Sequence, residues 1–332
     1  MKLAEIQTIN EITPIEGADR IELAKVQGWQ SVVQRGQYSV GDRIVFIPID
    51  TVLQPSVWNS HLHDKEDPTK PIRVRSVKLR GVYSQGLIFP LSIITPEMNV
   101  DELAQELGVI KYEKPIPAHL SGEVFGDFPT HLVSKTDEDN LKSNIEVLEE
   151  LRQADSMQAT LKMDGTSATY IKETNGNFRV CSRNLELRDT ESNVHWQMAR
   201  KYDIWNNLNS GYAIQGEIAG PGIQGNPAGL SEVTLFIFNV INLYSRKPLA
   251  RDSWDSAFKD IPHVKCVMNW TKQQMVQMDV DYLQDFVNTV SYQNGKPAEG
   301  LVFRGIKDGK IMYSQKLQKM LSVKIINQNY KD

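Results

Sequence analysis

The sequence predicts an α+β protein in two parts: a small β-barrel in front, then a domain rich in strands with flanking helices. Three observations carry this. The chain has 332 residues, more than one ordinary core holds, so two domains are the natural division. Residues 1–100 are short strand-like runs broken by turn signals, the pattern of a small barrel. From Gln158 onward strand-like runs dominate, interrupted by helical stretches near residues 192–208 and 281–291.

In chain order, Ile21-Glu22-Leu23-Ala24-Lys25-Val26 and Arg43-Ile44-Val45-Phe46-Ile47-Pro48 read as strands. Glu16-Gly17-Ala18-Asp19, Gly36 and Gly41-Asp42 punctuate them. The run Arg73-Val74-Arg75-Ser76-Val77-Lys78-Leu79-Arg80, taken as one strand, sets Arg73 and Arg75 on one face and Lys78 and Arg80 on the other. It is either an edge strand guarded by charge or a surface that contacts phosphates. A short helical stretch follows around Asp101–Leu107, then a proline-rich segment, Pro115-Ile116-Pro117, as the linker candidate. The expected division is therefore a barrel over 1–100, a linker over 101–130 and a second domain over 131–332. Within the latter, Lys135-Thr136-Asp137-Glu138 and residues 144–153 read as a loop entering a helix, with Ile145, Leu148 and Leu151 at helical spacing.

Composition narrows the class. Apolar content of 40% and charged content of 23% are those of a soluble globular protein. Glu5 comes early and no apolar run precedes it, so the start does not read as a signal peptide. No apolar stretch approaches the roughly 20 residues of a membrane span. Two cysteines, Cys181 and Cys266, cannot build a disulfide framework, and no Cys/His cluster has zinc spacing. The expectation is a soluble intracellular protein, cytoplasmic or nuclear, with no membrane partner. A net charge of −4 gives no global attraction to nucleic acid, so any such binding must come from local basic patches. The six histidines show no i, i+4 pair and no acid–base array.

The pentapeptide Leu161-Lys162-Met163-Asp164-Gly165 carries the chemistry. A lysine amine can attack the α-phosphorus of a nucleoside triphosphate and form a covalent nucleotide adduct. Free lysine titrates near ~10.4, so only on the order of one in a thousand is an amine at neutral pH, and the site must favour that form. On a strand, Asp164 would share the side of Lys162 and hold a metal near the attacked phosphate. Gly165 would let backbone approach the nucleotide. Alone, the string also fits a charged hairpin turn.

Five downstream segments change that: Cys181-Ser182-Arg183-Asn184, Gln215-Gly216-Glu217-Ile218-Ala219-Gly220, Leu235-Phe236-Ile237-Phe238-Asn239-Val240, Glu299-Gly300-Leu301-Val302-Phe303-Arg304 and Ser322-Val323-Lys324-Ile325. In this order, over residues 135–326, they resemble the covalent nucleotidyltransferase superfamily of ATP-dependent ligases and capping enzymes. The resemblance implies Lys162 as nucleophile, with Thr160 and Leu161 beside the nucleotide. It implies Asp164 and Glu299 for Mg²⁺ or Mn²⁺, Lys324 for the α-phosphate and Glu217 for the ribose hydroxyl. Arg183 would contact the ribose or the nucleic-acid end. Phe238 would stack on the base, with Phe236 as the alternative. The first 90 residues resemble the OB-type tRNA-binding modules of some synthetases, through Ile15–Leu23 and Leu79–Gly86. That likeness implies an OB barrel more firmly than it implies a ligand.

A barrel in front, eight residues after Lys324 and the phrase Phe128–Glu138 together resemble the Naegleria-type RNA ligases. These pair an N-terminal OB domain with a nucleotidyltransferase domain of antiparallel sheets with flanking helices. The resemblance implies a monomeric ATP-dependent RNA ligase that seals 3′-OH and 5′-phosphate ends, in nicked duplexes or broken RNA and with a DNA template conceivable. Arg73, Arg75, Lys78 and Arg80 are the candidate nucleic-acid face. A DNA ligase, a capping enzyme and a non-catalytic RNA-binding protein are the alternatives. Two positions depart from the pattern. Ile326 stands where related ligases carry a second lysine, and Asn140 where they carry an arginine, which leaves Lys135 or Lys142 as substitute contacts to the triphosphate.

Overall fold

The computed structural model describes residues 2–64, 67–112 and 122–330. The linker candidate Pro115–Pro117 lies outside the described residues. The chain divides into two units: residues 1–115 with 140–145, and residues 116–139 with 146–332.

The first unit is a set of small antiparallel sheets wrapped on one core. Arg43–Ile47 pairs Glu5–Thr8 on one side and Leu87–Pro90 on the other. Glu11–Pro14, Ile21–Val26 and Trp29–Gln34 form a meander. Thr51–Leu53 lies between Val109–Lys111 and Ile72–Val74. Val26, Trp29, Ile44, Phe46, Leu53 and Phe89 supply the core, which is what short strands with alternating burial need in order to close on themselves. The predicted strand Ile21–Val26 forms over those residues.

Two features differ from the expectation. Residues 101–112, assigned to a linker, fold with the barrel: Leu103, Leu107 and Val109 are buried in its core. The run 73–80 is not one strand. Val74 turns inward and is buried, the strand Ile72–Val74 ends there, and Ser76–Leu79 starts a separate hairpin with Val82–Gln85. Arg80 turns that hairpin with φ +47° beside Gly81, so it shares no strand face with Lys78. Alternating charge cannot tell a continuous strand from a strand, a crossing and a hairpin.

The second unit is built on two antiparallel sheets. The larger runs in the order Val124–Asp127, Leu185–Leu187, Phe178–Cys181, Thr166–Lys172, Tyr212–Ala219, Thr234–Asn242, Lys247–Pro248. Ala168, Tyr170, Ile214, Ile218, Leu235 and Ile237 bury its back against helices Val194–Lys201 and Ile204–Asn207. The smaller sheet has Gly300–Lys307 and Ser156–Lys162 at its centre, flanked by Ser322–Ile326 and Cys266–Thr271. Helix Val280–Thr289 covers its apolar side with Leu283 and Val287, and Asp279 caps it by accepting from the Tyr282 N–H at 2.8 Å. No helix among the described residues is long and apolar enough to cross a membrane.

Candidate active site

The strand Ser156–Lys162 ends on Lys162. Its partner across the ladder is Gly300, which pairs Ile326 in turn. Directly opposed residues share a face, so Thr160, Val302 and Lys324 line the side that carries Lys162. The other side is apolar: Met157, Ala159, Leu301, Phe303, Val323 and Ile325 are all buried. Strand alternation in a half-buried sheet therefore delivers the two lysines to one surface.

Lys162 Nζ donates to Glu299 Oε1 at 2.6 Å, and the side chains keep 26% and 16% of their exposure. Burial alone would pull the Lys162 ammonium down. The carboxylates of Glu299, Glu217 and Asp164 outweigh it, so the group is held above the ordinary lysine value. Burial likewise pushes Glu217 up to about 8, against the pull of Lys162. Burial also raises Glu299, opposed first by Lys162. The resting lysine is thus a paired cation, and something must draw the acids' charge away before it becomes an amine.

Asp164 reaches this cluster by another route than the expected one. The strand has ended, so period-two alternation does not aim it. Its N–H donates to the Tyr292 hydroxyl at 3.2 Å, and its Oδ2 accepts from the Tyr330 hydroxyl at 2.5 Å. Gly165 too has a different reason. A Cβ there would lie 2.2 Å from the Ile218 carbonyl oxygen, so glycine is required by the neighbouring strand. Gly300 is required in the same way: a Cβ there would also stand 2.2 Å from a carbonyl oxygen, that of Ile325.

The front of the larger sheet faces this chemistry with Glu217. It stands opposite Ser167 on one side and Phe236 on the other. The register slips by one between Gln215 and Gly216, which leaves Phe238 as the extra residue of a β-bulge. Leu235, Ile237 and Val240 all lie in the back core, so the parity of the strand changes across the bulge. Phe236 and Phe238 both remain half-buried off that core. Phe236 is the one directly across from Glu217; Phe238 is held through its carbonyl, which accepts from Arg304 Nη1 at 3.0 Å.

The remaining candidates lie further out or elsewhere. Arg183 is exposed in the turn after Phe178–Cys181 and approaches Asp137 at 3.5 Å. Lys135 donates to Asn184 Oδ1 at 2.8 Å. Lys142 is not available to a triphosphate: it is buried in the first unit, where Nζ donates to Gln85 Oε1 at 2.9 Å and lies 5.5 Å from the Trp29 ring centre. Gly28 admits this segment, since a Cβ there would meet Lys142 Cα at 2.8 Å. In the same unit Arg73 is largely covered, with its guanidinium 3.7 Å from the Tyr112 ring centre and 3.4 Å from Asp50. Its observed contacts are structural, whereas Arg75, Lys78 and Arg80 are exposed.

Three residues of the site are not visible in the sequence. Tyr292 and Tyr330 bond to the Lys162–Asp164 segment from more than a hundred residues away, and no local spacing announces that. Arg304 is buried, ties Ser322 and Phe238 together and lies 3.8 Å from Glu138. Its one signal is its parity with Val302, which puts it on the lysine-bearing face.

Among the described residues no three acidic, histidine or cysteine side chains form a ready-made metal cage. Glu299 Oε2, however, is buried with no hydrogen-bond partner. An orphaned carboxylate oxygen of this kind suits a divalent cation that keeps most of its waters and takes few protein ligands.

Comparison with known proteins agrees with this geometry. An OB-fold domain model matches residues 3–91 and an RNA ligase model matches residues 155–317. No curated protein matches the chain. Solved structures of Naegleria gruberi RNA ligase do, at 31% identity. An apo mutant form covers 98% of this chain and 96% of its own, with a TM-score of 0.84. Mutant complexes with ATP and Mn and with AMP and Mn cover 98% and 97%, with TM-scores of 0.83 and 0.84. The observed folds of both units are those expected, an OB barrel and a nucleotidyltransferase domain. At this identity over nearly the full length of both proteins, the chain belongs to the RNA ligase family and is an ATP-dependent RNA ligase.

Proposed function

We propose that Lys162 is the nucleophile that captures AMP, and that Asp164, Glu217 and Glu299 govern its protonation. The observation that carries this is the 2.6 Å pair between Lys162 Nζ and Glu299 Oε1, set among two further acids. Cofactor use follows the family: ATP, and Mg²⁺ or Mn²⁺. Asp164 and Glu299 are the residues to hold the metal, whose charge, when bound, offsets those carboxylates and eases proton loss from the lysine.

The deprotonated Lys162 forms a P–N bond to the α-phosphorus, and the α–β phosphoanhydride bond breaks as pyrophosphate leaves. A 5′-phosphate oxygen then attacks the adenylate phosphorus, and the Lys162 amine departs. Last, an RNA 3′-OH attacks the activated 5′-phosphate and AMP is released. Each step is governed by positioning and charge neutralisation. Lys324, on the same sheet face as Lys162, supplies fixed positive charge to the α-phosphate. Glu217 accepts from the ribose. Phe238 or Phe236 stacks on adenine, and Thr160 and Leu161 border the nucleotide. Arg183 meets the ribose or the RNA end.

In the first unit, Arg75, Lys78 and Arg80 form the RNA-contacting face, with Arg73 as its internal support. The enzyme acts as an intracellular monomer on nicked or broken RNA, a DNA template being tolerated. The first unit, residues 1–115 with 140–145, holds the RNA-binding function and the second, residues 116–139 with 146–332, the adenylating one. Sedimentation and a panel of nicks with varied sugars at the break test the oligomeric state and the substrate. Lys162→Ala should abolish label transfer from α-labelled ATP to the protein, and label retained on another residue would remove the assignment.

A further inference from the structure

Where the central strands of the smaller sheet run out, three backbone groups converge on one phenol. The Tyr292 hydroxyl donates to the Lys162 carbonyl at 3.1 Å and accepts from the Asp164 N–H and the Glu299 N–H, each at 3.2 Å. A tyrosine hydroxyl has one proton and can accept twice, so these three bonds use its whole capacity. The ring is 5% exposed, and its backbone is fixed in a tight hairpin: Tyr292 N–H donates to Lys296 O at 2.9 Å, and Ser291 bridges Pro297. The hairpin follows directly on the helix that covers the sheet, so the phenol is delivered by rigid elements.

We propose that Tyr292 is a positioning residue for lysine adenylylation: one hydroxyl pins the backbone of the nucleophile to the backbones of both metal-side acids. The proposal rests on the reading of Lys162 as nucleophile. Lys162 is the last residue of its strand and pairs with Gly300; Glu299 stands one residue before that partner's strand, and Asp164 lies beyond the end of its own. The phenol ties these three backbones together where the regular pairing stops. In nucleotidyl transfer the barrier is lowered chiefly by holding amine, metal and phosphate in register. Displacing these three segments relative to one another therefore costs rate and metal affinity while leaving the nucleotide's base and ribose contacts intact.

Tyr292→Phe in the full chain keeps the ring and removes only the oxygen. With α-labelled ATP and graded Mn²⁺, the variant should form the lysine–AMP adduct at least tenfold more slowly at saturating ATP. The Mn²⁺ concentration for half-maximal rate should rise several-fold, KM for ATP should stay within about twofold, and the melting temperature within a few degrees. Wild-type labelling with wild-type metal dependence overturns the proposal. So does a loss in which rate and melting temperature fall together while KM for ATP rises, because that marks a residue of general structure. Lys162→Ala run in parallel separates the two readings. If it still labels, the nucleophile assignment fails; if it is silent while Tyr292→Phe labels normally, only the role of Tyr292 fails.

Discussion

A methyl group at residue 165 has no room. It would lie 2.2 Å from the Ile218 carbonyl oxygen and 3.1 Å from Glu217 Cγ, and both belong to a central strand that cannot retreat alone. Gly165→Ala should therefore cost about 1–3 kcal/mol of stability by overpacking. It should also slow lysine–AMP formation by more than tenfold, because the strain falls between Asp164 and Glu217. Gly126 is the control, with ordinary φ and nothing within 4 Å of a Cβ; its alanine variant should melt and label like the parent. Equal melting and labelling by Gly165→Ala would contradict the argument. The same positions show what is legible at this scale. Lys162, Glu217, Glu299 and Lys324 are the candidates legible in the sequence, because each sits in a short local motif that carries the resemblance to the nucleotidyltransferase superfamily. Tyr292 and Arg304 are not legible, since the backbone carbonyls they donate to, those of Lys162 and Phe238, lie 130 and 66 residues away in the chain. The reason for Gly165 is hidden for a related cause: the neighbour that excludes a side chain belongs to the separate strand Tyr212–Ala219.

At the level of elements, the hairpin Ser76–Leu79 with Val82–Gln85 makes the sharper prediction. Every residue of its first strand is exposed, and Lys78 sits 5.2 Å from the Tyr83 ring centre. Basic charge beside an aromatic on an exposed hairpin suits a nucleic-acid backbone with a base stacked nearby. Charge reversal as Lys78→Glu with Arg80→Glu should weaken RNA binding, flatten the dependence of log K on log salt by about one unit or more, and leave lysine–AMP formation at the parent rate. An unchanged salt slope in a filter-binding titration would exclude this face. Arg73→Ala should behave otherwise, lowering stability by removing the stack on Tyr112 and changing the salt slope little. Elements with one dominant signal are readable: Ile21–Val26 from its turn-bounded run, and helix Val280–Thr289 from buried residues at positions 280, 283, 284 and 287. The run 73–80 is not, because the inward turn of Val74 depends on a core the local pattern does not contain. Residues 101–112 read as a linker because the strand Val109–Lys111 is three residues long and finds its partner far back in the chain, at Thr51–Leu53.

For the molecule as a whole, the order of barrel then catalytic domain is readable from motif order. The return of residues 140–145 to the first unit is not, since it depends on Gly28 admitting Lys142. Global stability carries one further consequence, through His195. This side chain is 2% exposed; Nε2 donates to the Ser167 carbonyl at 3.1 Å, and Nδ1 is buried without a partner. Burial lowers its pKa to about 4, against an ordinary value of 6.5. The unfolded chain therefore takes up a proton below pH 6.5 that the folded chain refuses until about 4. Stability from this group is present above 6.5 and falls as the pH drops through that window, by up to about 3 kcal/mol at its lower end. Glu217 acts in the opposite sense, because its folded pKa of about 8 lies above the unfolded one, so its contribution grows as pH falls from 8 toward 4.5. A single melting curve mixes the two, but a difference between variants isolates the histidine. His195→Gln retains a side-chain donor for Ser167 and does not titrate. It should lower the melting temperature at about pH 7, then lose less than the parent between roughly pH 6.5 and 4.5, so that the two curves converge in acid. Parallel curves over that range would mean that another group sets the acid limit of the fold.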